Sequence, residues 1–482
     1  MAYKPTIGLE IHIELNTKSK MFCGCANNPD EHGPNINVCP ICMGHPGTLP
    51  VINGEAVRKT IKTGLALNCQ IPKDSKFDRK NYFYPDLPKG YQISQYDMPF
   101  CKDGYLDISD RKIKIRRIHL EEDTGRLVHP ERAEFSLVDF NRAGIPLMEL
   151  VTEPDITSGK EAKIFAEELH EIFHYLEVSD ADMEKGQMRV EVNISLSDKE
   201  GELGTKVEIK NLNSFRSVER GVDFEIKRQT KALESEEKII QETRGWDDTK
   251  GVTVSQREKE EAHDYRYFPE PDLPPLHFLQ EEISRIKAEI PELPQHRRKR
   301  LEEQYELGEN MSEFFVKNKK FGEYFEKVIS EFDPGLTHEK ILSLIKLTSN
   351  YLATDLQGLL GNKSVADKDF KITPENFADF IDLINDGKIS SKIAKQVLTE
   401  MFVSGADPSH IIEEKGLSQM SDEAEIEKII KEIITDNPKV VEDYKTGKAN
   451  AFQYLIGQVM AKTRGKANPQ MVKKILNRAL TN

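Results

Sequence analysis

Apolar and ionisable residues alternate strictly near the start of this chain, from Leu9 to Glu14. In an extended strand, side chains two residues apart share a face, and their backbones lie about 6 to 7 Å apart. The pattern predicts a strand over residues 6–15 that presents Glu10, His12 and Glu14 in a row on one face. Two carboxylates and an imidazole in a row can bind a metal ion, but such a row can also be the solvated face of a sheet.

Similar alternation predicts further strands, and helix-capping residues mark the helices between them. The strands are expected at residues 111–120, 188–196 and 205–210. Ser158 and Glu161 have the spacing of a capping box at the start of one helix, and a second helix is expected after Ser214. Because strands and helices do not alternate regularly, the pattern predicts an α+β fold with a largely antiparallel sheet in the N-terminal part.

Proline-rich stretches and a glycine-containing break divide the chain. Several prolines lie between residues 269 and 294, and helical signals dominate after them. Thr373 and Pro374 have the pattern of an N-cap followed by the first helical residue. A break at residues 405–408 (GADP) separates the last helical part. The predicted domains are a mixed strand-and-helix domain at residues 1–290, a helical domain at 291–405 and a small helical tail at 406–482.

Four of the six cysteines fall within twenty residues and form two close pairs, Cys23 with Cys25 and Cys39 with Cys42. Two such pairs joined by a short loop have the spacing of a tetrahedral zinc site with four thiolate ligands, although C-x-C is tighter than the usual C-x2-C. Four protein ligands fill the coordination sphere of zinc, so this site would be structural. Reduced free cysteines and a redox pair are the alternatives.

A second acidic group follows a basic alternating strand. Residues 119–123 read HLEED, and Gly125 comes soon after them. Glu121 and Glu122 at a strand end could complete an oxygen-rich Mg2+ site. A solvated turn is the usual structure of an acidic triplet, and the pattern alone favours that alternative.

Polar residues on two later strands could meet phosphate groups. Arg189 and Glu191 alternate with apolar residues, and Lys206, Lys210 and Asn211 follow. Carboxylates for a metal ion and cations for phosphate are the groups that phosphoryl transfer needs. The sequence contains neither the P-loop pattern nor the dinucleotide-binding glycine pattern, so any ATP would be held in another way. Ordinary salt bridges within the sheet are the alternative.

Composition and charge indicate a cellular compartment and a class of binding partner. The chain has 482 residues, 31% of them charged, with a net charge of -14. No signal peptide or apolar run of membrane length is recognised, and six cysteines are too few for a secreted disulfide scaffold, so a reducing cytoplasm and no membrane partner are expected. Residues 445–482 contain eight basic and no acidic residues. This tail indicates a polyanion partner such as nucleic acid, or else a solvated lysine-rich helix.

Longer motifs carry a resemblance to a known family. They run in order along the first 275 residues, as residues 7–15 (IGLEIHIEL), 79–86 (RKNYFYPD), 119–123 (HLEED), 206–214 (KVEIKNLNS) and 262–273 (AHDYRYFPEPDL). In this order they resemble the GatB/GatE family, the B subunits of the tRNA-dependent amidotransferase GatCAB. The helical part and the basic tail are similar to the remaining architecture of that family.

The resemblance implies a repair reaction on misacylated tRNA. In the family's complex, the B subunit uses ATP to phosphorylate the side-chain carboxylate of Glu-tRNA(Gln), Asp-tRNA(Asn) or both, and ammonia that the A subunit releases from glutamine displaces the phosphate. The resemblance also implies a catalytic sheet similar to that of glutamine synthetase. ATP, Mg2+ and structural Zn2+ are the expected cofactors, and the amidase (A) and small (C) subunits and tRNA are the expected partners.

The resemblance assigns expected roles to residues of these motifs. Glu10, His12, Glu121 and Glu122 are expected to be catalytic and to hold Mg2+, although a histidine nitrogen is unusual for this ion and His12 could instead meet substrate or a transition metal. The residues expected to contact substrate or phosphate are Arg189, Glu191, Lys206, Lys210 and Asn211. The residues expected to contact tRNA are Lys462, Arg464, Lys466, Lys473, Lys474 and Arg478. The four cysteines are expected to have a structural role only, because some family members lack them.

Two other functions compete with this interpretation. One is a zinc-stabilised RNA-binding scaffold without chemistry of its own, and the other is a free-standing ATP-dependent amide ligase that acts on a small molecule. The acid-rich strand faces argue against the scaffold, and the basic tail argues against the small-molecule ligase.

Overall fold

The computed structural model of this chain describes residues 3–130, 133–199, 201–258, 265–417, 423–446, 448–463 and 466–481. Two compact units are present, Met1–Pro294 and Gln295–Asn482. The division into three domains that the sequence suggests stays a prediction. Within the described ranges, no helix is both long enough and apolar enough to cross a membrane.

An eight-stranded sheet forms the centre of the N-terminal unit. The described strands of this unit are β1 (Lys4–Glu14), β2 (Asp74–Ser75), β3 (Asp78–Asn81), β4 (Tyr91–Ser94), β5 (Cys101–Ile108), β6 (Arg111–Glu122), β7 (Arg126–Val128), β8 (Leu137–Asp139), β9 (Pro146–Thr152), β10 (Met188–Ser197), β11 (Val207–Leu212), β12 (Glu242–Asp247), β13 (Val252–Glu258), β14 (Phe268–Pro269) and β15 (Leu276–His277). The large sheet has the order β13-β12-β11-β10-β1-β9-β6-β5, and only β11 and β12 run parallel. The remaining strands form small sheets, in the orders β14-β3-β4, β15-β2 and β7-β8. The predicted α+β class with a largely antiparallel sheet is confirmed.

Two of the four described helices of this unit begin where the capping residues predict them. The four helices are α1 (Gly54–Ala66), α2 (Gly159–Leu176), α3 (Phe215–Glu234) and α4 (Gln280–Ala288), and the two with predicted caps are α2 and α3. The hydroxyl of Ser158 accepts a hydrogen bond from the Glu161 N–H, and Ser214 caps α3 in the same way. The second hydrogen bond of the predicted capping box differs from the expectation. The Glu161 carboxylate accepts from the N–H of Thr157 and not from the N–H of Ser158.

One face of β1 lies in the hydrophobic core. Ile7, Leu9, Ile11 and Ile13 are all buried and belong to one cluster with apolar residues of α1, α2 and α3. Burying an aliphatic side chain of this size contributes about 1.5–3 kcal/mol. Because alternate side chains point to opposite faces, this burial directs the polar residues of β1 to the other face of the sheet.

The register of the sheet aligns polar residues from neighbouring strands. On β1, His12 lies directly opposite Arg189 of β10 and opposite Glu149 of β9. Glu149 in turn lies opposite His119 of β6. Residues directly opposite each other in an antiparallel pair share a face, so these four side chains lie on the polar face that the sequence predicts for β1.

The second unit is helical. Its described helices are α5 (Pro294–Tyr305), α6 (Glu309–Lys317), α7 (Lys319–Ser330), α8 (His338–Asn350), a π-helical segment (Tyr351–Leu356), α9 (Gln357–Leu360), α10 (Pro374–Asn385), α11 (Ser391–Ser404), α12 (Pro408–Glu414), α13 (Glu423–Asp436), α14 (Pro438–Lys445), α15 (Ala449–Lys462) and α16 (Pro469–Thr481). The predicted cap is confirmed, since the Thr373 hydroxyl accepts from the Asn376 N–H at 3.2 Å. Helices α13, α15 and α16 pack around a separate apolar cluster.

Candidate active site

Side chains of β1, β9 and β6 converge on one buried carboxylate, Glu149. Its Oε2 lies 3.3 Å from His12 Nε2 and 3.2 Å from His119 Nε2. Glu10 Oε1 lies 3.9 Å from His12 Nε2, and Glu121 Oε2 lies 3.7 Å from His119 Nε2. These five side chains form two overlapping groups of three metal-ligating residues, and in each group the ligand atoms lie within 4.8 Å of one another. We call them the carboxylate–imidazole cluster.

The cluster is held together by opposite charges in a buried environment. Burial opposes protonation of His12, but the hydrogen bond to Glu149 and the charge of that carboxylate raise the pKa of His12 to about 9. His119 behaves similarly, since Glu149 outweighs the effect of burial and raises its pKa. Burial alone would raise the pKa of Glu149, yet the two imidazoles hold it well below its ordinary value. The protonated forms of both imidazoles are therefore favoured beside Glu149.

The two neighbouring acids of the HLEED motif have different surroundings. Glu121 belongs to the cluster and also accepts a hydrogen bond from Ser94 at 3.0 Å. Glu122 points away, because successive side chains of a strand face opposite sides. It pairs with Lys89 and accepts from the N–H of Ile93 at 2.9 Å. Of the two acids expected to hold a metal ion, the structure brings only Glu121 to the cluster.

Three of the residues expected to bind phosphate already have acidic or basic partners. Arg189 donates to Asp123 at 2.9 Å. Lys210 Nζ lies 2.8 Å from Glu191 Oε2 and 3.7 Å from Glu208 Oε1. Burial opposes the charge of Lys210, but Glu191 and Glu208 raise its pKa above the ordinary value. The cations of these ion pairs lie on β10 and β11, next to the cluster. In this arrangement Arg189 and Lys210 are therefore already paired with acids.

Lys206 and Asn211 lie at opposite ends of β11. Lys206 is exposed and directly precedes Val207, which lies opposite Ile194. Ile194 is three residues, or about 10 Å, along β10 from Glu191, so this position does not support the expected phosphate contact of Lys206. Asn211 is exposed in a β-bulge with a left-handed φ of 62°, next to Lys210.

Glu14, the third polar residue of the β1 row, is buried rather than solvated. Its side chain meets Asp123, and Arg189 interacts with both acids. Burial, together with the charge of Asp123, raises the pKa of Glu14 to about 8. The row therefore continues beyond the cluster as a second group of paired charges.

Sequence reasoning missed Glu149, the residue shared by both metal-ligating groups. It is a lone acid in the otherwise apolar strand PLMELVT, so its only local signal is a charged residue inside an apolar run. His119 belongs to the HLEED motif, but the motif alone gives this residue no role. The role of a buried acid in such a strand can be inferred only when the residues on the neighbouring strands are known.

Two basic side chains beside the cluster were also missed. Arg117 lies two residues before His119 on β6, and its Nε is buried with no hydrogen-bond partner among the described residues. Lys80 of β3 lies 5.1 Å from the ring centre of Tyr265. Burial opposes the charge of Lys80, but Glu121 above all raises the pKa of its ammonium group above the ordinary value. Arg117 thus has unused donor capacity near the cluster.

The four predicted zinc ligands come together in a separate place. The Sγ atoms of Cys23, Cys25, Cys39 and Cys42 all lie within 4.8 Å of one another, and those of Cys39 and Cys42 are 3.9 Å apart. Tetrahedral zinc with Zn–S bonds of about 2.3 Å places sulfur atoms about 3.8 Å apart. The cluster therefore has the residues and the spacing to hold a metal ion.

A buried lysine supports this thiolate loop. Lys20 is fully buried and donates to the backbone carbonyls of Asn37 at 2.6 Å and Phe140 at 3.2 Å. Its Nζ also lies 4.0 Å from Cys42 Sγ. A hydrogen bond from Cys23 above all lowers the pKa of Cys42 to about 5, and the Lys20 charge contributes. A thiolate, the form that binds zinc, is therefore favoured at Cys42.

The basic residues of the tail differ in their partners. Lys462 Nζ lies 2.8 Å from Glu432, and Arg478 lies 3.3 Å from Glu423. Lys473 and Lys474 are exposed on α16 without an acidic partner in the described ranges, and Lys466 is half-buried. Arg464 lies outside the described residues. Only part of the basic run is thus free to meet a polyanion.

Comparison with known proteins decides the family. A family model described as the GatB/GatE catalytic domain matches residues 5–284, more than half of the chain, and a second, described as the GatB domain, matches residues 324–480. The chain belongs to the GatB/GatE family. The resemblance found in the sequence motifs is confirmed, and the carboxylate–imidazole cluster lies within the catalytic domain of this family.

Relatives match the chain over its whole length. A Thermotoga petrophila protein, named as the B subunit of an aspartyl/glutamyl-tRNA(Asn/Gln) amidotransferase, is 48% identical over 489 residues, covering 100% of this chain and 99% of that protein. A protein of the same name from Caldicellulosiruptor bescii is 50% identical over 490 residues, with coverage of 100% and 99%. Another from Thermoanaerobacter is 48% identical over 486 residues and covers both chains completely.

The thiolate cluster predicts one bound zinc ion per chain. Elemental analysis of the purified protein should find about one equivalent of zinc, and Cys39→Ser should reduce it severalfold because one of four ligands loses its thiolate. Cys69→Ser is the matched control, since Cys69 is buried in the main core outside the cluster and its change should leave the zinc content unaltered. A correctly folded parent protein without zinc would contradict the prediction.

Proposed function

We propose that this chain is the B subunit of a glutamine-dependent tRNA amidotransferase, an ATP-dependent carbon–nitrogen ligase. Its substrate would be Glu-tRNA(Gln), Asp-tRNA(Asn) or both, and its product the matching Gln- or Asn-tRNA. The observation that carries the proposal is the carboxylate–imidazole cluster, on a chain related over its full length to proteins named for this activity.

The reaction needs activation of a carboxylate. A carboxylate is a poor electrophile because it already carries negative charge and its oxygen leaves badly. Transfer of a phosphoryl group from ATP supplies a leaving group, but it brings two anions together. When bound, Mg2+ would neutralise charge on the phosphates and hold them in position.

The residues of the cluster fit such a metal ion in part. Mg2+ prefers oxygen ligands, and Glu10, Glu121 and Glu149 supply three carboxylates in two overlapping groups. We propose that these acids hold Mg2+. His12 and His119 are less suited to this ion and are assigned instead to holding Glu149 ionised and correctly oriented. Glu122 is not included, because it pairs with Lys89.

A phosphate group beside the cluster needs a cation with free donors. Arg117 lies on the strand that carries His119 and Glu121, and its buried Nε has no partner within the described ranges. Arg189 and Lys210 are bound to acids and would have to exchange partners first. We therefore assign the first phosphate contact to Arg117, with Lys80 as a second cation near Glu121.

The remaining steps involve other subunits. Ammonia must reach the acyl phosphate in place of water, so the proposal includes an amidase (A) subunit that releases ammonia from glutamine and a small (C) subunit. The basic tail is proposed to contact tRNA phosphates through Lys473 and Lys474, which are exposed and unpaired in the described part of the chain. A scaffold without chemistry would not account for the buried acids and imidazoles.

Glu10→Gln should remove ATP hydrolysis that depends on misacylated tRNA. The change deletes a metal-binding charge, so the rate should fall about 100-fold or more, a loss of about 2.7 kcal/mol or more of transition-state stabilisation. Phosphate release by the assembled complex measures the rate, and the glutaminase rate of the partner should be retained. Glu202→Gln, at an exposed acid paired with Lys199, is the control. Unchanged ATP turnover in Glu10→Gln would contradict the metal assignment.

Arg117→Met should lower kcat/KM for ATP. Hydrogen bonds to charged groups contribute about 1.5–3 kcal/mol, which corresponds to about 10- to 150-fold. Arg116→Met is a matched control on the preceding residue, because Arg116 is exposed and pairs with Glu153 at 2.8 Å. Steady-state ATP kinetics with misacylated tRNA should separate the two variants. Equal kinetics in both would exclude the phosphate contact.

Lys473→Ala with Lys474→Ala should weaken tRNA binding in a salt-dependent way. Each lost phosphate contact reduces the slope of log K against log salt by about 0.7–0.9, so the pair should reduce it by about 1.5. Binding of labelled tRNA across a salt series measures this slope. Lys462→Ala should have a smaller effect, because Glu432 already neutralises that lysine. An unchanged slope in the double variant would show that α16 does not contact tRNA.

A further inference from the structure

We propose that His170 and His174 are the core of a second metal site, which Asp180 completes when an ion binds, and that this site takes a borderline divalent transition-metal ion, of the class of Zn2+, Ni2+ and Cu2+. This site lies outside both the carboxylate–imidazole cluster and the thiolate cluster. It does not depend on the proposed function.

The two histidines lie one turn apart on α2 and face each other. Their Nε2 atoms are 3.2 Å apart, and their ring centres are 4.4 Å apart. Two histidine nitrogens that bind one ion at about 2.0–2.1 Å, with an angle between about 90° and 109°, lie about 2.9–3.4 Å apart. The observed separation therefore matches the distance needed for both rings to bind one ion. Imidazole nitrogens favour zinc, copper and nickel over magnesium.

Neighbouring side chains orient the imidazole ring of His170. His170 Nδ1 lies 3.6 Å from Glu171 Oε1, and the Phe215 ring packs edge-on against His170 with centres 5.4 Å apart. A carboxylate near Nδ1 favours the proton on that nitrogen and leaves the lone pair on Nε2, where it faces His174. Metal-binding histidines commonly have such a carboxylate behind them.

A third ligand is not yet in place, because among the described residues no carboxylate forms a group with these two histidines in which all ligand atoms lie within 4.8 Å of one another. A groove of about 380 Å³ is lined by His170, Asp180, Asp182 and residues 213–215, where α3 begins. Asp182 already accepts from the N–H groups of Glu184 and Lys185, at 2.9 and 3.2 Å. Asp180 is exposed and close enough to His174 for its charge to act on that ring. Asp180 is therefore the acid we assign to the ion, which it would reach by rotation of its exposed side chain.

The site would connect the end of α2 to the segment that leads into β10. Asp180 lies in that segment, and the carbonyl oxygen of Gln187, further along it, accepts from the N–H of Glu14 at 2.9 Å. An ion that joins α2 to this segment would stabilise the start of β10, the strand that carries Arg189. Binding to the folded state alone would raise the melting temperature with increasing metal concentration.

Calorimetric titration of the full chain with Ni2+, after its thiolates have been loaded with zinc, tests this site. The parent protein should bind one equivalent of Ni2+ more than the variant His170→Ala with His174→Ala, because all other ligands are common to both. Asp180→Asn should still bind the additional equivalent of Ni2+, but with an affinity about tenfold lower than that of the parent. His410→Ala should behave like the parent, since His410 is an exposed histidine one turn from Glu414. An equal number of equivalents in the double variant and the parent would overturn the proposal.

Cu2+ bound to the same protein gives an independent measurement. Its electron paramagnetic resonance spectrum should show coupling to two more nitrogens in the parent than in the double variant. His174→Gln changes an exposed position, so this variant should fold normally. It should still lose the additional equivalent of Ni2+ and the Ni2+-dependent rise in melting temperature. If His174→Gln retains both, the ion binds elsewhere and the assignment is wrong.

Discussion

The antiparallel register of three strands, β1, β9 and β6, is the constraint on which the candidate site depends. It sets His12 of β1 opposite Glu149 of β9, and Glu149 opposite His119 of β6. A shift of one residue would turn every side chain of β1 to the other face, placing His12 in the core and Ile11 in the polar groove. Burial of Leu9, Ile11 and their apolar neighbours opposes that shift, so the hydrophobic core holds the polar row in place.

Charge balance on the polar face explains which residues remain available for chemistry. Glu149 is ionised between two imidazoles, while Arg189 and Lys210 are occupied by Asp123 and Glu191. An anion that approaches this face would meet the unused donor of Arg117 before it could recruit the paired cations. The imidazoles that flank Glu149 keep this buried carboxylate paired.

The thiolate loop has a different physical task. Its four sulfur atoms surround a point away from the cluster, and fully buried Lys20 ties the loop to backbone carbonyls at Asn37 and Phe140. Glu122 and Lys89 pair behind the cluster and line a cavity of about 220 Å³ together with Cys23 and Cys42. The loop thus lies on the side of β6 that carries Glu122, opposite the side that carries Glu121.

The sequence by itself determined four strands of the large sheet, three capped helices, the cysteine spacing and the polar row of Glu10 and His12, because alternation, capping and ligand spacing are local properties. Only the tertiary structure decided that Glu149 joins this row, that Glu121 rather than Glu122 completes it, and that Lys206 lies apart. The physical reason is that strand register comes from packing between distant segments. A lone acid in an apolar strand therefore has no assigned partner until the neighbouring strands are aligned beside it.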